Sequence, residues 1–292
     1  MLRYDLPVYR PPSEAHSLIL QATIGCSHNR CAFCVSYQGK RFRAKPEAEL
    51  FAEIDWAARE LPYARRIFLA DGDAFVLSTD RLLRLLERLY AAFPRLERVT
   101  CYAGPENFAR KTVAEMRRVR EAGLTMLFVG AESGDDEVLR RIDKGVTADE
   151  MIGLCAKPTE AGFDLSLTVI LGLGGRRLSA RHAAGTARLL DAIRPRYAAA
   201  LTLIIEPREP PFAVAFGDPE REELTPAESL AECRAILERM QADGITFRAN
   251  HASNYLALAG DLQRDKPRLL AQIDRALAEG ERALRPEFMR GL

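Results

Sequence analysis

The feature that most constrains this chain is a rhythm running from residue 17 to residue 205, in which short apolar runs alternate with amphipathic stretches of helical period. The runs at 17–24, 66–70, 98–102, 125–130, 164–171 and 197–205 have the length and apolar character of strands. Helical patterns lie between them at 46–61, 78–93, 113–122, 148–161 and 179–193, and another follows at 226–242. Several helix starts carry their own punctuation. Thr112-Val-Ala-Glu115, Thr147-Ala-Asp-Glu150 and Thr225-Pro-Ala-Glu228 read as capping boxes, the last with Pro226 at the first helical position. Gly123 and Gly162 stand where helices should end.

Strands that are each followed by a helix must pair in parallel through right-handed crossovers. Six such units predict an α/β fold, either a partial (β/α)6 barrel or an open doubly wound sheet, with reactive groups at the C-terminal strand edge. Three segments are expected. They are an N-terminal stretch at 1–16, the β/α body at 17–205, and a mainly helical extension at 206–292 packed on the body. The extension opens with Pro207, Pro210, Pro211 and Pro219 and ends in two long helical patterns.

Charge and apolarity exclude some functions. A net charge of +1 exerts no global pull on nucleic acid or anionic membrane. The longest uncharged apolar runs, at 165–175 and 197–205, are too short to cross a bilayer. The first fifteen residues carry charges and prolines where a secretory signal needs an apolar core. A soluble, cytoplasmic protein of a reducing compartment is expected.

Cysteine usage is uneven. Cys26, Cys31 and Cys34 fall within nine residues just after the first strand, in Gly25-Cys26-Ser-His-Asn-Arg-Cys31-Ala-Phe33-Cys34. Three thiolates on a four-iron cluster leave one iron without a protein ligand, open to the amine and carboxylate of a small molecule. A second reading is zinc, with His28 completing a set of three cysteines and one histidine, and a third is a redox pair in Cys31-Ala-Phe-Cys34, to which Cys26 adds an extra thiol. The alternative function is that of a non-catalytic zinc- or iron–sulfur-binding regulatory protein.

This loop and the segments that follow it resemble the radical S-adenosylmethionine (SAM) superfamily. The spacing here, Cys-x4-Cys-x2-Cys, is one residue longer than the commonest spacing in that family, and Phe33 matches its aromatic before the third cysteine. Asp71-Gly72-Asp73, after the second strand, stands where the family receives the SAM amino group. Gly130-Ala-Glu132-Ser133-Gly, followed by Lys144-Gly, is similar to a segment of the subgroup of oxygen-independent coproporphyrinogen oxidases and tRNA methylthiotransferases. The resemblance implies that Glu132 contacts the ribose and that Lys144, rather than Arg141, meets the SAM carboxylate. Gly172, in Gly172-Leu-Gly174-Gly175, falls at the adenine-contacting strand end. It further implies a partial barrel, a 4Fe-4S cluster, SAM, and an electron donor such as a flavodoxin or ferredoxin. The activity implied is cleavage of SAM to methionine and a 5′-deoxyadenosyl radical that takes hydrogen from a substrate.

Residues on the substrate side are less specified. His251, Ser253 and Asn254 form a polar group beside Tyr255 in the extension, and Cys101 ends the third strand. His251, Asn254 and Cys101 are the candidates for catalysis. Cys155 and Cys233 lie in helical patterns and read as structural. No second cluster motif and no appended RNA-binding domain is evident, and only some 16 residues precede the first strand. Methylthiolation is therefore disfavoured.

Overall fold

A computed structural model describes residues 1–291. In chain order the main elements are β1 (Leu18–Gln21), β2 (Thr23–Ile24), β3 (Arg43–Ala44), α1 (Glu47–Glu60), β4 (Arg66–Ala70), α2 (Thr79–Ala92) and β5 (Arg98–Tyr102). Next come α3 (Pro105–Arg110), α4 (Val113–Glu121), β6 (Leu124–Glu132), α5 (Asp136–Arg141), α6 (Ala148–Glu160), β7 (Asp164–Leu171) and α7 (Gly175–Ile193). The remainder are β8 (Tyr197–Thr202), α8 (Phe212–Ala215), α9 (Pro226–Arg239), β9 (Thr246–Ala249), β10 (Leu258–Asp261) and α10 (Leu262–Glu279). Two compact units are distinguished. The first comprises residues 1–30, 34–129 and 154–165; the second comprises 31–33, 130–153 and 166–292.

In the first unit β1, β4, β5 and β6 are parallel neighbours in that order, with Leu18 opposite Ile67, Arg66 opposite Arg98 and Thr100 opposite Met126. Ile67, Phe68, Leu69 and Ala70 of β4 are all fully buried. A strand covered on both faces cannot alternate apolar with polar, which is why this run reads as continuous hydrophobe. Helix α2 begins at Ser78, whose hydroxyl accepts from Arg81 N–H. It buries Leu82, Leu85, Leu86 and Leu89, a stripe at helical spacing contributing about 2 kcal/mol per side chain. Phe68, Tyr102 and Phe128 meet edge to face, with centroids 5.1–6.1 Å apart.

In the second unit β7, β8 and β9 are parallel, with Ser166 opposite Tyr197 and Tyr197 opposite Thr246. β10 runs antiparallel to β9. Helix α9 packs against α7 and α10, burying Leu230, Cys233, Ile236 and Leu237. The capping boxes at Thr112 and Thr225 form in full, and Thr147 and Glu150 exchange the same pair of bonds.

Each of the six expected strands is present. The first breaks at Ala22 into β1 and β2, because β2 turns aside to pair with β3. Helix α7 starts at Gly175 rather than at 179, since the glycines that read as a turn also supply its first residues. The extension, expected to be mainly helical, also holds the short strands β9 and β10. Among the described residues no helix is long and apolar enough to cross a membrane.

Candidate SAM and cluster site

The first unit carries the opening of the cysteine loop and the Asp71–Asp73 turn, and these are tied together directly. Gly25, at φ +72°, turns the chain out of β2, and its N–H donates to Asp71 Oδ2 at 3.1 Å. Gly72 N–H donates to Gly25 O at 3.1 Å, and the Ser27 hydroxyl bonds Asp73 Oδ2. His28 Nδ1 lies 2.9 Å from Glu106 Oε1, and Asn29 donates to Lys40 O at 3.1 Å. Ser27, His28 and Asn29 thus all shape the loop. Gly72 is required for space, since a Cβ there would lie 2.6 Å from the ring of Tyr37.

The two aspartates of the turn differ. Asp73 is saturated. It takes Ser27 on one oxygen and Asn107 Nδ2, at 2.6 Å, on the other. Burial raises its pKa against the pull of those bonds. Asp71 is fully buried, and its Oδ2 accepts from Lys40 Nζ at 2.9 Å, Gly25 N–H and Gln21 Nε2. Its Oδ1 is buried with no hydrogen-bond partner. Burial raises this carboxyl above its usual range, and the Lys40 bond works in the opposite direction. An unsatisfied buried carboxylate oxygen costs about 1–3 kcal/mol, which a ligand ammonium would recover. Gln21 and Lys40, the partners that orient Asp71, carry no motif signal.

Cys101 is fully buried, and burial followed by the nearby Asp73 pushes its thiol far above the usual range. It stays un-ionised at neutral pH.

The second unit carries the Glu132, Lys144 and Gly172 segments. Glu132, the last residue of β6, has φ +65°, a left-handed conformation costly for a residue with a Cβ. Its Oε1 accepts from Lys144 Nζ at 3.0 Å, both side chains being about nine-tenths buried. The two residues expected on the ribose and on the SAM carboxylate are therefore partners of each other. Arg141 is engaged elsewhere, with Glu137, Gly217 O and the ring of Phe216.

Ser133 Oγ is 2.8 Å from His182 Nδ1, and Gly134 N–H donates to Thr186 Oγ1 at 3.1 Å. Gly134 and Gly185 let this loop press on α7; a Cβ on Gly134 would lie 2.1 Å from Gly185 O. Gly172, at φ +80°, has room for a side chain and is glycine for its backbone angle. Its N–H donates to Glu232 Oε1 at 2.6 Å, and its carbonyl accepts from Arg221, which stacks on Phe212 and Phe216. His182, Gly185, Arg221 and Glu232 escaped the sequence reading because their partners lie far along the chain. The small pair Gly134 and Gly185 was the one available signal.

The polar group of the extension assembles at the end of β8. Thr202 Oγ1 donates to Asn254 Oδ1 at 2.9 Å, and Asn254 Nδ2 donates to Ala200 O. Ser253 N–H donates to His251 Nδ1 at 3.1 Å, which puts the ring proton of His251 on Nε2. Burial and then Arg285 lower the pKa of His251, so the ring is neutral at physiological pH. Arg285 and Arg290 donate to the carbonyls of residues 251–254 and hold the loop.

Cys26 and Cys34 fall in the first unit, and Cys31, with Ala32 and Phe33, in the second. All three cysteines are half-buried. Among the described residues no three His, Cys, Asp or Glu side chains are grouped as a set for a single metal ion. Thiolates on a four-iron cluster bind separate irons and stand further apart than ligands of one ion, so the fit rests on donor chemistry. Three soft thiols in nine residues suit iron–sulfur ligation.

The radical SAM superfamily profile matches residues 20–190. The heme chaperone HemW of Bacillus subtilis is 25% identical over 187 residues, covering 63% of this chain and 48% of that protein. The tRNA-2-methylthio-N(6)-dimethylallyladenosine synthase of Frankia alni is 28% identical over 253 residues, covering 81% and 47%. The chain thus spans about half the length of these relatives. Among solved structures, coproporphyrinogen III oxidase from Escherichia coli, described as a radical SAM enzyme, aligns with a TM-score of 0.53 at 16% identity, over 76% of this chain and 50% of that one. That likeness shows the fold, an α/β partial barrel with a C-terminal extension. The chain belongs to the radical SAM superfamily. The cofactors of that family are a 4Fe-4S cluster and SAM. The regulatory alternative finds no support in these matches.

Proposed function

We propose that Cys26, Cys31 and Cys34 hold a 4Fe-4S cluster and that this chain reductively cleaves SAM. When bound, the reduced cluster supplies one electron to the SAM sulfonium, breaking its carbon–sulfur bond to give methionine and a 5′-deoxyadenosyl radical that takes a hydrogen atom from a substrate. The chain's own residues hold and aim the nucleoside. Asp71 Oδ1 accepts from the SAM ammonium, and Gly72 and Phe33 are further residues assigned to SAM. Lys144 supplies the cation for the SAM carboxylate. Glu132, seconded by Ser133, accepts from the ribose hydroxyls, and Gly172 offers backbone to the adenine.

The observation that carries this reading is the buried, unpartnered Oδ1 of Asp71, a strong acceptor waiting for a cation, inside the segment that matches the family. On the substrate side, His251 is the candidate proton donor through Nε2. Asn254 is committed to Thr202 and Ala200, and Cys101 is committed to the core. We assign 17–205 to the SAM barrel, 1–16 to a leading segment and 206–292 to an extension that shapes the substrate side. A small flavodoxin or ferredoxin in the cytoplasm would deliver the electron.

The test is anaerobic reconstitution with iron and sulfide, followed by strong reductant and SAM. Brown protein that releases 5′-deoxyadenosine and methionine, with both colour and products lost in Cys26→Ala, is the expected result. Iron-replete protein that leaves SAM intact, even with cell extract as a source of substrate, overturns the reading.

A further inference from the structure

Between the two segments of the second unit assigned to SAM lies a row of buried polar groups. Ser133 Oγ accepts from Asp135 N–H at 3.0 Å and faces His182 Nδ1 at 2.8 Å. With the serine proton directed at Nδ1, the ring carries its own proton on Nε2. That Nε2 is buried with no hydrogen-bond partner and lies 3.7 Å from Glu232 Oε1. Glu232 in turn accepts from Gly172 N–H at 2.6 Å and from the Ser179 hydroxyl. Ser133 and His182 are fully buried, and Glu232 nearly so.

We propose that His182 is a positioning residue for SAM binding. Its imidazole holds the Glu132–Ser133 loop through Nδ1, while Nε2 stands 3.7 Å from the carboxylate that holds the Gly172 peptide. The proposal rests on the reading of Glu132 and Gly172 as ribose and adenine contacts. Two observations favour it over simple packing. Glu132 holds a left-handed backbone, a state that persists only where neighbours over-determine it. The bond from Ser133 to His182, together with that from Gly134 to Thr186, fixes the residues immediately after it. Moreover, a buried acid and a buried imidazole are destabilising in a core that hydrophobes would fill. Here the acid commits one oxygen to the backbone of Gly172.

The experiment measures SAM dissociation constants of the reconstituted holoprotein by equilibrium dialysis, alongside thermal unfolding. His182→Leu keeps most of the volume and loses the bond. His182→Asn leaves a void but returns an amide to the place of Nδ1. Positioning predicts that Leu weakens SAM binding about tenfold, whereas Asn stays within about threefold of wild type although it is the less stable protein. Wild-type binding in His182→Leu, or better binding by Leu than by Asn, overturns the proposal. Wild-type holoprotein that binds no SAM overturns the functional reading beneath it, so the two failures are distinguishable.

Discussion

Gly185→Ala is the substitution for which propensity and packing disagree most openly. Gly185 lies inside α7, where alanine is favoured over glycine by about 1 kcal/mol. Against this, the new Cβ would lie 2.3 Å from Gly134 O, 2.6 Å from Gly134 C and 3.0 Å from Asp135 N. All three are backbone atoms, so no rotamer relieves the clash, and loop and helix must part by about 1 Å. Overpacking of that order costs about 1–3 kcal/mol, and this displacement belongs at the upper end. The net expectation is a loss of about 1–2 kcal/mol, or about 2–4 °C in Tm per kcal/mol for chains of 150–250 residues. SAM affinity should fall with it, because the displaced loop carries Glu132 and Ser133. Gly153→Ala is the control. It is also inside a helix, α6, but its Cβ would meet nothing within 4 Å. That variant should gain up to about 1 kcal/mol. Chemical denaturation at unchanged m value reads both variants. A Gly185→Ala protein stabilised as much as Gly153→Ala would refute the argument that this crossing is closed to a side chain.

Three further outcomes are expected. Lys45 and Glu53 form a buried pair at 2.9 Å, so Lys45→Met should cost about 3–5 kcal/mol in urea unfolding while Lys45→Met with Glu53→Leu returns most of it; a single variant as mild as the double would contradict this. In folded, iron-free protein Cys26, Cys31 and Cys34 should react with a thiol reagent, whereas Cys101, Cys155 and Cys233 should react only after unfolding, since they are buried and burial pushes Cys233 up to about 12. His251 is lowered from 6.5 by burial and Arg285, so just below that pH the unfolded chain binds the proton and the folded chain does not; stability should fall as pH drops through this window, and the fall should shrink in His251→Gln.

The sequence disclosed the fold in the places where local and long-range demands agree. The bounds of β4, β5 and β7 were legible to the residue, since each is a short run rich in buried apolar residues set between helical patterns. Helix starts at Thr112 and Thr225 were legible because a capping box is a local contact. The six-residue α3 and α5 and the four-residue β9 and β10 were not, being too short to show a period. The candidate site divides in the same way. Asp71, Glu132 and Gly172 sit at strand ends where motifs are recognisable. Their supports, Lys40, His182 and Glu232, stand 31, 49 and 60 residues from the groups they hold. Nothing local in a helical pattern distinguishes a buried histidine that grips a loop from one on the surface.

Lys40 also couples the start of the chain to the site. Its buried ammonium bonds Asp71 together with the carbonyls of Asp5 and Pro7, and Gln21 bridges Asp5 and Asp71 in parallel. Residues 5–7 are therefore a wall behind the carboxylate rather than a dispensable leader. Proteolytic trimming beyond Pro7 would admit water to that wall, and purification tags belong upstream of it.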